Sequence, residues 1–389
     1  MQRIAGNGAP VTLALAVGAA ALLCPASEAS YGDRLPLYRA CVDLCADEPL
    51  ENTTFYDVEA IPHIWEEISW TGSAAKAMDE LSGRETEIFV RGCDIRGDDA
   101  FEFGDCVDEC KYRCQGAVTA LRRKAGLDDV QFHGKWYFTR FLGMQELLSA
   151  AFSLLNGLPH AINLFDAKRR KRWAPSHYPV GIRMLLVGTS LSSVNTWFWS
   201  FAFHSRDNTL TERLDYHFAT LFVMQYAFLA LMWLYVDVFS CFPKSWSCRK
   251  ETIPSRLERW KQCGHFAAIL GCVMSGAFVQ HVYRMNAVGF DYGGNMIFTG
   301  LFFVLQLVSW LVWAWCMRAK YRDSAESIFI FQVLLAFAAL FEVLDFPPVC
   351  NLLDAHALWH GLTIPLGFIW YSFLETVAQD ISAVRGKKE

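Results

Sequence analysis

The stretch "GNMIFTGLFFVLQLVSWLVWAWCM" (Gly294 to Met317) decides the fold class, because none of its 24 residues is Asp, Glu, Lys or Arg. About 20 consecutive apolar residues are enough for a helix to cross the hydrocarbon core of a bilayer. The whole chain of 389 residues shares this bias, with 53% hydrophobic, 15% aromatic and only 19% charged residues. The composition is typical of a membrane protein.

The apolar residues form separate stretches of membrane length after Arg140. These stretches are seven in number, at roughly 141–165, 180–203, 216–240, 263–283, 294–317, 327–344 and 355–378. Basic residues crowd every second loop, as in "AKRRKR" (Ala167 to Arg172). By the positive-inside rule these loops are cytosolic. The sequence therefore predicts an all-α membrane fold, a seven-transmembrane helix bundle with a lumenal N-terminal domain and a cytosolic C-terminus.

The first 29 residues have the features of a secretory signal peptide. Arg3 precedes the apolar run "VTLALAVGAAALL" (Val11 to Leu23), and Ser27 and Ala29 are small residues at the −3 and −1 positions of a cleavage site. This arrangement predicts cleavage after Ala29. A retained membrane anchor is the alternative, although the run is short for a span.

The region between residues 30 and 140 is polar and rich in cysteine. Its six cysteines are Cys41, Cys45, Cys93, Cys106, Cys110 and Cys114. An even number behind a signal peptide predicts a disulfide framework in an oxidising compartment, with about fifteen possible connectivities. The sequon at Asn52 agrees with lumenal exposure. We therefore expect a signal peptide (1–29), a lumenal cysteine-rich domain (30–140), a seven-transmembrane domain (141–378) and a cytosolic tail (379–389).

Polar side chains collect at the predicted lumenal ends of three apolar stretches. They are Ser200 and His204 at the end of the second stretch, Asp215 and His217 at the start of the third, and His356 and His360 at the start of the seventh. Residues four positions apart share one face of a helix. Because ionisable groups are costly inside a membrane, this convergence indicates a functional site.

The residue types suit a catalytic metal site. His204, His356 and His360 are predicted to bind Zn²⁺, since three imidazoles leave a fourth position open for water, whose pKa the ion lowers. Asp215 is predicted to accept a proton from this water, and Ser200 to donate a hydrogen bond to the water or to the developing oxyanion. Manganese and iron are alternative metals for such a ligand set.

Other polar residues at the same depth are predicted to support the site or the fold rather than to react. They are Glu146, Asp207, His217, His281, Asp291, Glu342 and Asp345. The chain has no basic domain and no nucleic-acid-binding motif, so the sequence predicts no nucleic-acid partner.

Three long motifs of the membrane region resemble a known family. They are "NTWFWSFAFHSRDNTLTERLDY" (Asn195 to Tyr216), "FDYGGN" (Phe290 to Asn295) and "LDFPPVCNLLDAHALWHGLTIP" (Leu344 to Pro365). The chain is similar here to the post-GPI-attachment lipid-remodelling proteins, the Per-one-like family. The lumenal motifs "YRACVDLC" (Tyr38 to Cys45), "CVDECKYRC" (Cys106 to Cys114) and "QFHGKWYFTRF" (Gln131 to Phe141) carry the same resemblance.

The resemblance implies a fold and an activity. The family falls in a superfamily with alkaline ceramidases and adiponectin receptors, which share a seven-helix fold and a metal held by three histidines. By resemblance, His204, His356 and His360 are the metal ligands, and Ser200 and Asp215 are the accompanying polar pair. The implied reaction removes the sn-2 acyl chain from the phosphatidylinositol of GPI-anchored proteins, in the endoplasmic reticulum or the Golgi.

Three other functions are compatible with the same residues. A ceramidase-like enzyme would cleave an amide instead of an ester, and the metal site alone does not separate the two reactions. A seven-helix receptor would use the metal structurally, but the short cytosolic loops disfavour it. A lipid-binding chaperone or scramblase would have a vestigial site, which the intact Ser200 and Asp215 disfavour.

Overall fold

A computed structural model describes residues 30–47, 53–57, 87–91, 106–241, 256–287 and 291–386. The helices of this part of the chain are α1 (Tyr31–Arg34), α2 (Pro36–Asp47), α3 (Cys106–Lys124), α4 (Leu147–Phe165), α5 (Ala167–Trp173), α6 (Val180–Ser205), α7 (Thr209–Asp237), α8 (Arg256–Gln262), α9 (Gly264–Ala287), α10 (Tyr292–Met317), α11 (Arg322–Leu344) and α12 (Ala355–Gly386). Two short strands, β1 (Thr53–Asp57) and β2 (Glu87–Arg91), pair antiparallel with Phe55 opposite Phe89. The predicted signal peptide and the sequon at Asn52 lie outside the described residues.

Among the described residues, six helices are long and apolar enough to cross a membrane, namely α4, α7, α9, α10, α11 and α12. They confirm a multi-pass helical membrane protein. The predicted second span corresponds to α6, which does not reach the same hydropathy because hydroxyl-bearing residues line its buried face. Ser190 and Ser193 donate hydrogen bonds to backbone carbonyls one turn earlier in the same helix. A seventh span therefore stays a prediction.

The long helices enclose the core in a ring. Going round it, α4 packs against α6, α6 against α7, α7 against α10, α10 against α11, α11 against α12, and α12 against α4. The helix α9 packs on the outside, against α7. Fully buried aromatic side chains, among them Trp310, Trp313 and Phe373, fill the interior at the end of the ring remote from the predicted metal ligands.

The first predicted apolar stretch begins at residue 141, but α4 begins only at Leu147. A tight turn precedes the helix, in which the backbones of Phe141 and Met144 exchange two hydrogen bonds of 3.0 Å. Leu142 and Gly143 in the turn have φ angles of 52° and 77°. Two consecutive positive φ angles are the mark of a two-residue hairpin turn, and they exclude a right-handed helix.

Two disulfide bonds join the N-terminal helices α2 and α3. Cys41 pairs with Cys114 and Cys45 pairs with Cys110. Each helix presents its two cysteines four residues apart on one face, which is why the pairs form side by side. The prediction of a disulfide framework is confirmed for these four residues. Cys93 and the side chain of Cys106 lie outside the described part of the chain.

Replacing Cys45 and Cys110 together by Ser should lower the free energy of unfolding of the N-terminal region by about 2 kcal/mol. This value is at the lower end of the usual range, because the remaining bridge still closes almost the same loop. Replacing all four cysteines should cost at least about 4 kcal/mol. Resistance of the region to proteolysis in increasing urea measures both effects, and equal resistance of the three proteins would contradict the prediction.

Candidate metal centre

Three histidines from two helices converge at one end of the ring. His204 is the penultimate residue of α6, and His356 and His360 lie on one face of the first two turns of α12. The Nε2 atom of His356 is 3.3 Å from that of His204 and 2.9 Å from that of His360. One ring nitrogen of each histidine lies within 4.8 Å of the others. The structure thus brings together all three predicted metal ligands.

Two of these imidazoles donate a hydrogen bond from Nδ1 to a carboxylate. Glu146, just before α4, accepts a hydrogen bond of 2.7 Å from Nδ1 of His204. Glu342, in the last turn of α11, accepts one of 2.8 Å from Nδ1 of His356. A carboxylate on Nδ1 fixes the tautomer, so that the lone pair of Nε2 points toward the centre of the cluster. Both glutamates are among the residues predicted to support the site, and the structure identifies their partners.

A pair of serines lies behind the third imidazole. The hydroxyl of Ser153 on α4 is 3.4 Å from Nδ1 of His360 and 3.0 Å from the hydroxyl of Ser200. The proton of Ser153 goes to the carbonyl oxygen of Ser149, at 2.7 Å. Ser153 therefore accepts a hydrogen bond from Ser200. In this structure the predicted catalytic serine is linked to His360 through Ser153.

Ser153 was missed by the sequence analysis, although the sequence contains a signal for it. Helix α4 carries a polar stripe in a mostly apolar sequence, with Ser149, Ser153, Asn156, His160 and Asn163 spaced three or four residues apart. All five are buried. A polar stripe with helical spacing on a membrane helix predicts a face turned toward the protein interior.

The three histidines could hold a metal ion, and two of their spacings compare with those of zinc ligands. Tetrahedral ligands at the usual Zn–N distance of about 2.0–2.1 Å lie about 3.3–3.4 Å from one another. The distance of 3.3 Å between His204 and His356 matches this spacing, and the distance of 2.9 Å between His356 and His360 is somewhat shorter. The anionic partners of two imidazoles complete an arrangement that could hold a metal ion.

The cluster is closed on one side and open on the other. The side chain of His204 is only 3% exposed and that of Glu146 only 7%. In contrast, the side chains of His356 and Glu342 are 36% and 39% exposed. A molecule outside the protein therefore reaches the histidines from the side of α11 and α12.

The predicted proton acceptor Asp215 lies near the histidines. It occupies the second turn of α7 and is partly buried, within electrostatic range of His204 and His356. Unlike Glu146 and Glu342, it makes no side-chain hydrogen bond within the described residues. Its carboxylate is thus available to other groups at the centre.

Lys135, from the segment before the bundle, reaches the back of the cluster. Its Nζ atom lies 3.1 Å from Oε1 of Glu146 and 3.1 Å from Oδ2 of Asp207, and 3.6 Å from the centre of the Phe203 ring. Burial by itself would lower the pKa of this ammonium group. The carboxylates of Asp207 and Glu146 outweigh burial and raise the pKa above its ordinary value. The group is therefore a permanent cation, and the sequence analysis did not single it out.

The loop between α11 and α12 is held by the same N-terminal region. Gln131 and Trp136 donate hydrogen bonds of 2.7 and 2.9 Å to the two carboxylate oxygens of Asp345. At the end of the loop, Asp354 accepts a hydrogen bond of 2.7 Å from the backbone of Ala357. This contact is a helix cap, and it fixes where the helix with the two histidines begins.

The remaining polar candidates have structural contacts. His217 contacts Asn286 at 3.0 Å, and His281 donates a hydrogen bond of 2.9 Å to Asn295. Asp291 caps α10 by accepting a hydrogen bond from Gly294. None of these three is a member of the histidine cluster. Their assignment to supporting roles agrees with these contacts.

This chain is similar to known proteins over most of its length. The chain is similar to a protein of Xenopus laevis named GPI-specific phospholipase A2-like PGAP3, with 33% identity over 350 residues that cover 89% of each chain. The human protein of that name is 30% identical over 370 residues, covering 95% of this chain and 94% of the relative. A Schizosaccharomyces pombe protein named Protein PER1 homolog is 33% identical over 275 residues, 69% of this chain and 74% of its own. No solved structure matches the chain.

The family model described as the Per1-like family matches residues 99–378. This range runs from the N-terminal helix α3 to the helix that carries two of the three histidines. The resemblance found in the sequence motifs is thereby confirmed. The chain belongs to the Per1-like family.

Proposed function

We propose that this protein is a zinc-dependent transmembrane acyl-ester hydrolase that removes the sn-2 acyl chain from the phosphatidylinositol of GPI-anchored proteins. The observation that carries the proposal is the convergence of three histidine Nε2 atoms, each imidazole having a polar partner at Nδ1. The names of the relatives, which include the words GPI-specific phospholipase A2-like, support the substrate class.

His204, His356 and His360 would hold the metal ion. A zinc ion at three histidines supplies a Lewis acid that activates water near neutral pH and polarises a carbonyl oxygen. Around it, Glu146 and Glu342 orient two of the imidazoles and keep their Nε2 atoms unprotonated. Hydrogen-bond partners of this kind raise the affinity of a histidine site for its metal ion.

Asp215 and Ser200 are the proposed catalytic residues. Asp215 accepts the proton of the attacking water and returns it to the oxygen of the leaving alcohol. Its position within electrostatic range of His204 and His356, without a competing hydrogen-bond partner among the described residues, supports this role. Ser200 donates a hydrogen bond to Ser153, which in turn contacts His360. When substrate is bound, the Ser200 hydroxyl donates its hydrogen bond to the developing oxyanion instead of to Ser153.

The site lies at the membrane end that we assign to the lumen. Helix α6 belongs to the closed ring, which supports its assignment as a seventh span. With seven spans and cytosolic basic loops, the histidines and the N-terminal region share the lumenal side of the endoplasmic reticulum or Golgi membrane. The lipid enters from the bilayer on the side of α11 and α12, while the glycan and the attached protein remain in the lumen.

The test uses purified full-length protein and a GPI-anchored protein whose phosphatidylinositol carries different labelled acyl chains at sn-1 and sn-2. We expect release of the sn-2 fatty acid alone, loss of the reaction after treatment with a zinc chelator, and its recovery with Zn²⁺. Release of the sn-1 chain would contradict the proposed position of cleavage. Hydrolysis of ceramide instead would support the amide hydrolase, and no hydrolysis at all would support a receptor or lipid-binding function.

A further inference from the structure

The N-terminal region supplies a charged group to the metal centre from outside the bundle. Lys135 belongs to the segment 131–136, which precedes the first membrane helix, α4, in the chain. Its side chain is only 25% exposed, and its ammonium group joins Glu146 to Asp207 at 3.1 Å each. The lysine therefore touches the residue that holds His204, without touching any of the three histidines.

The two oxygens of Glu146 are divided between these partners. Oε2 accepts the hydrogen bond from His204, and Oε1 contacts Lys135. Asp207 follows His204 by only three residues, so a second carboxylate lies close to the first. Without a cation between them, two partly buried carboxylates repel each other, and Glu146 is no longer held in its place beside His204. This displacement weakens the hydrogen bond that orients His204.

The backbone around Lys135 is built to keep the ammonium group in place. Phe132 and Lys135 exchange two backbone hydrogen bonds, of 2.8 and 2.9 Å, across a two-residue turn. The turn residues His133 and Gly134 have φ angles of 50° and 78°. On either side of the turn, Gln131 and Trp136 donate hydrogen bonds to Asp345, which follows Glu342 by three residues. One short segment thus contacts the regions that carry the partners of both His204 and His356.

We propose that Lys135 is a positioning residue of the metal centre, which acts through Glu146 to hold His204 in its metal-binding orientation. This inference rests on the proposed metal site and adds a role for the N-terminal region. That region is then a component of the hydrolase. The centre reaches full metal affinity only when the N-terminal region is folded against the bundle.

The experiment measures zinc affinity by competition with a chromogenic chelator, using purified full-length protein. Glu146→Gln should lower the affinity about 10- to 100-fold, the usual effect of removing the partner of a metal-bound histidine. Lys135→Met should lower it by at least about tenfold. The double variant should bind zinc no more weakly than Glu146→Gln, because two residues of one chain of contacts do not act independently.

Lys111→Met is the matched control, because Lys111 forms a half-exposed ion pair with Asp108 in the same N-terminal region. It should bind zinc with wild-type affinity. Should Lys135→Met fail to fold, as judged by gel filtration and thermal melting, Lys135→Arg decides the question. This variant keeps the cation between the two carboxylates and should retain zinc affinity within about threefold of wild type, less than the change caused by loss of such a partner.

The outcomes separate the two proposals. Wild-type zinc affinity in folded Lys135→Met, or losses in the two single variants that multiply in the double variant, would overturn the role of Lys135 alone. A folded Lys135→Arg protein with the same loss as Glu146→Gln would also overturn it. If the wild-type protein binds no zinc, both the metal site and the role of Lys135 are wrong.

Discussion

Replacing His360 by Ala should reduce the hydrolysis of the sn-2 ester by about 10³-fold or more. A catalytic metal contributes several kcal/mol to the stabilisation of the transition state, and each 1.36 kcal/mol corresponds to a factor of about ten in rate. His360 is a buried member of the three-histidine cluster, and its Nε2 atom is 2.9 Å from that of His356. Two remaining imidazoles would not retain the ion at micromolar zinc.

The measurement is release of the labelled sn-2 fatty acid by purified protein, together with zinc content. His217→Ala is the matched control, since His217 lies at the same end of the bundle, contacts Asn286 and is not a member of the three-histidine cluster. It should keep at least about half of the activity, because a substitution at a partly exposed position away from special features changes little. Cells that lack the protein provide a second readout, in which wild type restores the remodelled anchor lipid and His360→Ala does not. Full rescue by a normally located His360→Ala protein would make the histidines structural.

Replacing Asp215 by Asn should lower kcat by about 10²- to 10⁴-fold and leave zinc content unchanged. General acid–base catalysis contributes a factor of this size, and an amide cannot accept the proton. KM should change less than kcat, because the exchanged group acts in the transition state rather than in substrate binding. Asp215 lies within electrostatic range of His204 and His356, so the loss of its charge changes the electrostatics of the centre.

Asp166→Asn is the matched control for Asp215→Asn. Asp166 caps α5 by accepting hydrogen bonds from the backbones of Lys168 and Arg169, at the other end of α4 from the histidines. Asparagine is as good a helix cap as aspartate, so this variant should keep the wild-type rate. Loss of zinc from Asp215→Asn, or an unchanged kcat, would count against the role of Asp215 in proton transfer.

Much of the fold could be predicted from the sequence because membrane helices are local. Each one satisfies its own backbone hydrogen bonds, so length and apolar composition are sufficient to find it. The exception is α6, whose polar residues, such as Ser193, lie at the contacts with neighbouring helices. Its hydropathy is lower because the face turned to these neighbours is polar, although residues such as Met184 and Leu191 on the other face are apolar and exposed. Average composition does not separate the two faces.

The three histidines could be predicted because topology brings the ends of helices to the same membrane depth. Two of them are also one turn apart in α12, a relation that follows from helical periodicity alone. Their partners could not be predicted in the same way. Glu342 lies in α11, Glu146 lies just before α4, and Ser153 lies in the interior of α4. Their pairing with the histidines depends on which helices are neighbours in the ring.

The sequence by itself determined that this is a multi-pass membrane protein, which family it belongs to and which histidines meet. These properties depend on composition, helical spacing and the shared membrane depth of helix ends, and all of them can be read from the sequence. Only the tertiary structure decided which acid holds which imidazole and that Lys135 joins the N-terminal region to the site. Such pairings depend on side-chain distances of about 3 Å between segments far apart in sequence, at which hydrogen bonds and ion pairs form or fail.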